Sequence, residues 1–267
     1  QVRSLTTTNL NGLDATQLGA LTTTQVSALT TTQLNALDAT AVGELSTTQV
    51  AALATTQVSA LSTTAIGNLA DTQVAALTTT QVQSLSTTDV KALVDTQVAA
   101  LTTTQVGALS VAQLGALTTG DVDEFTTTQI AALSTAQVQA FSSTQLGALT
   151  ETQFAALTST QIQSISATKL SAIDTTLAAA LTTTQVAALT AAQLRALSTD
   201  NVSQFDATQF GALDATQIRA LTTTQIGALN ATDLGEFTTT QIAALSTTQV
   251  AGFDETSIGA LADTQVA

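Results

Sequence analysis

The apolar positions of this chain recur with a period of eight. From Leu5, every eighth residue is Leu, Phe or Ile through Leu261, which gives 33 positions (26 Leu, five Phe, two Ile) without an insertion or deletion. With this residue labelled a in an octad a to h, position b is Ser, Thr, Asp or Asn in 29 of 33 cases, d is Thr in 28 and e is Gln in 23. Position f is almost always Val, Ile or Leu, and h is usually Ala. Position c varies, and g holds Gly, Ala and most of the odd polar residues, including Lys91, Arg195 and Arg219.

A strand needs apolar positions of one parity, whereas a and h are adjacent and a and f differ in parity. One continuous helix also fails. Eight residues at about 100° each put the apolar stripe out of phase by about 80° per repeat. A short helix restarted in every octad fits. In Leu45-Ser-Thr-Thr-Gln-Val-Ala-Ala-Leu53, Ser46 is placed to cap a helix N-terminus and Gln49 to complete a capping box. Leu45 and Val50 have the spacing of a hydrophobic staple. The expected fold is therefore all-α, a solenoid or superhelix of very short helices, one per eight-residue repeat, with a β-solenoid as the alternative.

Such helices are too short to persist alone, so stacked coils must cover them. Positions a, f and h are the expected core. The near-constant Thr at d is expected to turn its methyl inward and its hydroxyl to a carbonyl left open at the preceding helix end. The Phe at position a (Phe125, Phe141, Phe205, Phe237, Phe253) and the Glu at h (Glu44, Glu124, Glu236) are each separated by multiples of 16 residues. This spacing predicts two repeats per coil, with three or four as alternatives, and a rod of about 150 Å at about 8–10 Å per coil. Residues 1–267 read as one continuous array without a linker. The chain opens at position e (Gln1) and stops at g (Ala267), so it is expected to be part of a longer array.

Composition narrows the function. The net charge is −14 with five Lys and Arg, which speaks against nucleic acid, whose phosphates demand a basic face. The apolar runs are a few residues long, too short for membrane insertion. Gln1-Val2-Arg3 opens no apolar leader-like stretch. There is no Cys, hence no disulfide or thiolate metal site.

Catalytic chemistry is poorly supplied. The chain has no His or Cys, and Ser or Thr beside Lys91 or Lys169 is the only conceivable nucleophile–base pairing. No catalytic, cofactor or metal-ligating residue is therefore assigned, no cofactor is implied, and the chain is not expected to be an enzyme. Asp14, Asp38, Asp174, Asp206, Asp214 and Asp254 occupy b, where they read as helix caps. Gly120-Asp-Val-Asp-Glu124 is the densest acid group and reads as a solvated turn in preference to a calcium loop. Thr ranks raise ice binding as an alternative. Asn201-Val-Ser203 and Asn230-Ala-Thr232 match the glycosylation acceptor pattern, with structural use expected. Lys169, Leu177 and Ala178 break their columns, which marks Ser166–Ala180 as a softer stretch.

The octads LTTTQVAA and LSTTQVAA, with the Ser/Thr-x-Thr-Gln-Val core as at Ser246–Val250, resemble octapeptide tandem-repeat tracts of very large secreted or surface-attached bacterial proteins, adhesin-like or filament-forming. The resemblance implies a non-catalytic structural segment, a stalk, spacer or filament subunit, outside the cell or at its surface. Its partners would be further copies of itself or neighbouring domains. The alternative is a repetitive binding module for a glycan, calcium or ice on one face.

Overall fold

The computed structural model describes residues 2–253, 255–259 and 261, the side chains of Ala39 and Ser257 excepted. Among these residues there is no strand, which removes the β-solenoid alternative. After a short 3-10 turn at Val2–Ser4, each octad forms one α-helix of four to six residues.

The local construction follows the capping chemistry. In the octad beginning at Leu101, the helix is Thr103–Ala108. Thr102 precedes it with extended backbone (φ −69°, ψ 157°), and its Oγ1 accepts the Gln105 N–H at 3.2 Å. Gln105 Oε1 accepts the Thr102 N–H at 2.7 Å, closing the box. Leu101 and Val106, 3% and 0% exposed, form the staple. The helix ends at Leu109 (φ −59°, ψ 134°). Two extended residues, a and b, thus turn the chain between helices. No described residue has positive φ, so the turn needs no glycine at a fixed place. The same box is seen at Ser46 and Gln49, with bonds of 2.7 and 3.2 Å.

The chain divides into two compact units, Gln1–Leu133 and Ser134–Ala267. In each, helices pack on the helix three octads away. In the first unit Asp95–Ala100 lies between Asp71–Ala75 and Thr119–Asp123; in the second Ala191–Ala196 lies between Ala167–Leu170 and Ala215–Ala220. The coil therefore holds three octads, not the two that the Phe and Glu spacing suggested. That spacing misled because all three sides bury position a alike, so Phe or Leu at a does not mark a side. Phe205 and Phe237 meet through Phe210, at ring-centroid distances of 5.8 and 5.2 Å. Three octads per coil also shorten the expected rise per octad by a third.

The core differs from the expected set in one column. Positions a and f are buried, but h is mostly half-buried, and the third buried column is the glutamine at e. Gln105, 2% exposed, donates from Nε2 to the carbonyls of Val74 at 2.8 Å and Leu77 at 2.7 Å, in the coil before its own. The same clasp, spanning 31 and 28 residues, joins Gln49 to Leu18 and Leu21, Gln81 to Val50 and Leu53, and Gln193 to Ile162 and Ile165. One side chain thus caps its own helix and satisfies carbonyls exposed by the extended turn of its neighbour.

Threonine at d behaves otherwise than expected. Its side chain is exposed in every described octad that carries it. Its hydroxyl bonds, where present, run to the cap residue two positions back, as in Thr78–Thr80 and Thr126–Thr128, both at 3.1 Å, or to Asp71 Oδ1 from Thr96 at 3.0 Å. None of these closes a carbonyl at a preceding helix end. Position d is the second residue of the helix and points away from the neighbouring coils. Gln105→Ala is expected to destabilise the chain by about 2 kcal/mol or more, because it orphans buried groups worth about 1–3 kcal/mol each. Thr48→Val should stay within about 0.5 kcal/mol. Urea unfolding followed by circular dichroism checks both, and equal effects would refute the assignment of these two columns.

Candidate functional site: coil seams and the exposed threonine columns

The seams between coils carry the chemistry of the chain, and position g supplies their second lacing. Asn11 Nδ2, Ser27 Oγ and Asn35 Nδ2 donate to the carbonyls of Ala36, Ala52 and Ala60, each 25 residues on, at 2.5–2.6 Å. Arg3, Arg195 and Arg219 do the same through Nε to Ala28, Ala220 and Ala244 at 2.9–3.2 Å. These carbonyls end short helices, where donors and positive charge are favoured. Lys169, at e, sends Nζ back to the Gln139 carbonyl at 2.5 Å. Four of the five cations are therefore committed to backbone carbonyls of an adjacent coil. A larger side chain is disfavoured where g is Gly67 or Gly227, since a Cβ there would lie 3.2 or 3.1 Å from the Ala92 or Gly252 carbonyl oxygen.

Substitutions at e separate the two tasks of glutamine. Asp89, Asp121 and Asp233 accept the N–H of their own b residue at 2.7–2.9 Å, but a carboxylate has no amide donor for the coil before. Asn201 is the converse: it donates to the Ile173 carbonyl at 3.1 Å and leaves its box open. Ala41 and Ala65 can do neither. Thirty residues before each stands an Asn at g, Asn11 and Asn35, the only two Asn in that column. Asn35 Oδ1 accepts the Ser62 N–H at 2.7 Å, the bond that a glutamine at position 65 would have made. At Ala65, then, the loss of the e side chain is compensated from the neighbouring coil.

Most acids singled out in the sequence are caps. Asp14, Asp38, Asp174, Asp206 and Asp214 each accept the backbone N–H three residues on, at 2.7–2.9 Å. Asp254, like the end residues Gln1 and Ala267, lies outside the described residues. Gly120–Glu124 is a turn only at its last residue. Gly120–Asp123 fall on the helix Thr119–Asp123, with Asp121 4% exposed and boxed to Thr118 because it occupies the e column, and Glu124 is the exposed C-cap. Asn201 of the first glycosylation pattern is 2% exposed and bonded in the seam, whereas Asn230 of the second is an exposed cap accepting from Thr232 and Asp233. Leu177 and Ala178 are buried at 3% and 0%. An open groove of about 410 Å³ lies beside Leu177, lined by Thr150, Glu151, Thr152, Asp174 and Thr176 among others.

Two acids depart from ordinary behaviour. The Thr208 hydroxyl and the Gln209 N–H hold the Asp206 carboxyl below the usual range. Glu236 moves the other way. Burial, then the nearby Asp233 and Asp206, push its carboxyl up, and its Oε2 is buried without a hydrogen-bond partner.

Among the polar residues facing solvent is the threonine of column d. With three octads per coil, the d threonines of each unit stand in three columns, one per side. They were legible as a column in the sequence, but their direction was not. The seam role of Gln was missed, although its near-fixation beyond what an N-terminal box requires was a signal.

Helical coils joined by one repeated seam define a tandem-repeat solenoid. The ALTTAQ repeat model matches residues 1–31, 50–87, 85–119, 115–151 and 226–263, more than half of the chain. The chain belongs to the ALTTAQ repeat family. Comparison with curated proteins finds no match. Among the described residues no helix is long and apolar enough to cross a membrane.

The Asn35–Ala65 pair predicts a coupled double-mutant cycle. Asn35→Ala should cost about 1 kcal/mol or more alone and markedly less when combined with Ala65→Gln, which restores the glutamine box. Additive costs in thermal melts would show that the two positions are independent. For Glu236, the folded-state carboxyl is raised, so its favourable contribution is complete below the unfolded carboxylate range and is lost as pH rises through the folded value. Glu236→Gln should therefore raise the melting temperature at pH 7 and give little gain at pH 3. Asp206→Asn has the opposite sign, since a lowered carboxyl contributes above the unfolded value: it should lower the melting temperature at pH 7 and lose its effect in acid.

Proposed function

We propose that the chain is a non-catalytic structural segment, serving as a stalk, spacer or filament subunit outside the cell or at its surface, with copies of itself or neighbouring domains as partners. The observation that carries this reading is the use of the polar side chains. Cap residues at b, glutamine at e, and Arg, Asn and Ser at g are spent on building and joining coils. A solenoid stabilised by nearest-neighbour seams lengthens by adding octads, without redesign of what is already there. The extracellular setting draws on the resemblance to tracts of large secreted or surface-attached bacterial proteins. The acidic charge and the commitment of the cations to carbonyls are consistent with a partner other than nucleic acid.

The exposed threonine columns favour a second reading, a repetitive binding module for a glycan, calcium or ice. No packing role explains their constancy from octad to octad, and a periodic ligand would. Small-angle X-ray scattering of the monomer tests the first reading. An elongated particle of constant cross-section is expected, and a compact globular profile would overturn it. Replacing one unit's d threonines by valine should leave the profile unchanged.

A further inference from the structure

The glutamine at e fills a seat with two unlike walls. One wall is the N–H of its own b residue, a donor; the other is the a carbonyl of the coil before, an acceptor. Gln105 meets them, at Thr102 and Leu77, at 2.7 Å each. Ala41, Ala65 and Leu177 bring neither group. At Ala65 the seat is served by a carboxamide from elsewhere: Asn35 Oδ1 accepts the Ser62 N–H at 2.7 Å. At Ala41 no described residue serves it. Asn11, the residue equivalent to Asn35, donates to the Ala36 carbonyl. No hydrogen bond from a described residue reaches the Asp38 N–H or the Leu13 carbonyl, although Asp38 Oδ1 accepts the Ala41 N–H at 2.9 Å. A groove of about 320 Å³ stands there, lined by Asn11, Leu13, Asp38 and Glu44 and by the buried Leu18 and Ala41. The groove beside Leu177 in the second unit has the same walls, with Gly147, Leu149 and Asp174 standing for Asn11, Leu13 and Asp38. The opening therefore follows the loss of the amide and not a particular coil. Leu177 retains the bulk of a glutamine stem; at Ala41 the stem is gone as well.

We propose that the vacated seat at Ala41 is a binding site for a primary carboxamide from outside the chain, the group that ends a glutamine side chain. The Asp38 N–H needs an acceptor and the Leu13 carbonyl needs a donor. A carboxylate supplies only the first, and it would meet the carboxylates of Asp14, Asp38 and Glu44 around the groove. An ammonium or guanidinium group supplies only the second. A hydroxyl offers both from one atom, where the glutamine seat uses two. A primary amide supplies both from two atoms and carries no charge. The seat is partly enclosed, so each bond is stronger than it would be in water. Asn35 demonstrates that the amide need not belong to the e residue itself. The site goes beyond the spacer reading and does not depend on it.

Acetamide is the piece by which glutamine exceeds alanine, and it is the probe. In two-dimensional amide NMR of the whole chain, acetamide should move the Asp38 signal saturably. N,N-dimethylacetamide, which lacks the donor, should not, nor should acetate, methylammonium or ethanol. The Ser62 signal should stay still, because Asn35 already serves that seat. Ala41→Gln restores the octad and should abolish the Asp38 response. Asn35→Ala should open the seat at Ala65, so that Ser62 responds to acetamide in turn. N-acetylglutamine N-methylamide separates the sources of the ligand: it saturates the same signal where the carboxamide is a partner's side chain, and it is excluded where the ligand is a small free amide. An Asp38 signal that does not saturate with acetamide, that moves equally with the controls, or that still responds in Ala41→Gln would overturn the proposal.

Discussion

Everything in this fold depends on a primary amide at position e. A helix of five or six residues leaves nearly as many open backbone groups as it closes, and the extended turn at a and b opens more. Glutamine has one strong acceptor and two donors on a side chain long enough to face two ways. Its oxygen returns to the start of its own helix, and its nitrogen crosses to the preceding coil. Because the amide is buried in a seam of Leu, Val and Phe, its bonds are shielded from water, and leaving them unmade would be costly. The apolar columns a and f supply the burial, but the amide sets which coil lies on which, and at what register.

The exceptions show why few other residues serve. Aspartate retains acceptance and loses donation; Asn201 reaches the neighbour but not its own cap; Lys169 can only donate. Where alanine abandons both tasks, Asn35 of the adjacent coil supplies the missing acceptor. Tolerance is therefore a property of pairs of coils, as expected for a chain whose stability is a sum over neighbours. Glu236 is a local cost of the same economy, a carboxylate at h placed near Asp206 and Asp233.

Membership in the ALTTAQ repeat family and the seam geometry agree that the chain is built of like units, each joined to a neighbouring coil by the same kind of bond. The interior is uniform, four of the five cations cap backbone carbonyls, and the exposed d column is mostly threonine.

The sequence alone determined the octad, the preference for a helix in each octad, and the caps and staples, because these follow from contacts within nine consecutive residues. Ser46, Gln49, Leu45 and Val50 announce their roles by spacing. The tertiary structure decided the number of octads per coil, the inward side of e, the outward side of d and the lacing at g. Those depend on residues 25 to 31 positions apart. In a lattice where every third octad looks like every second, spacing cannot tell which repeat is the neighbour. The 16-residue interval between Phe residues was a pattern of substitution at equivalent core sites. The 24-residue coil became visible only when the Gln105 amide was placed against the Leu77 carbonyl.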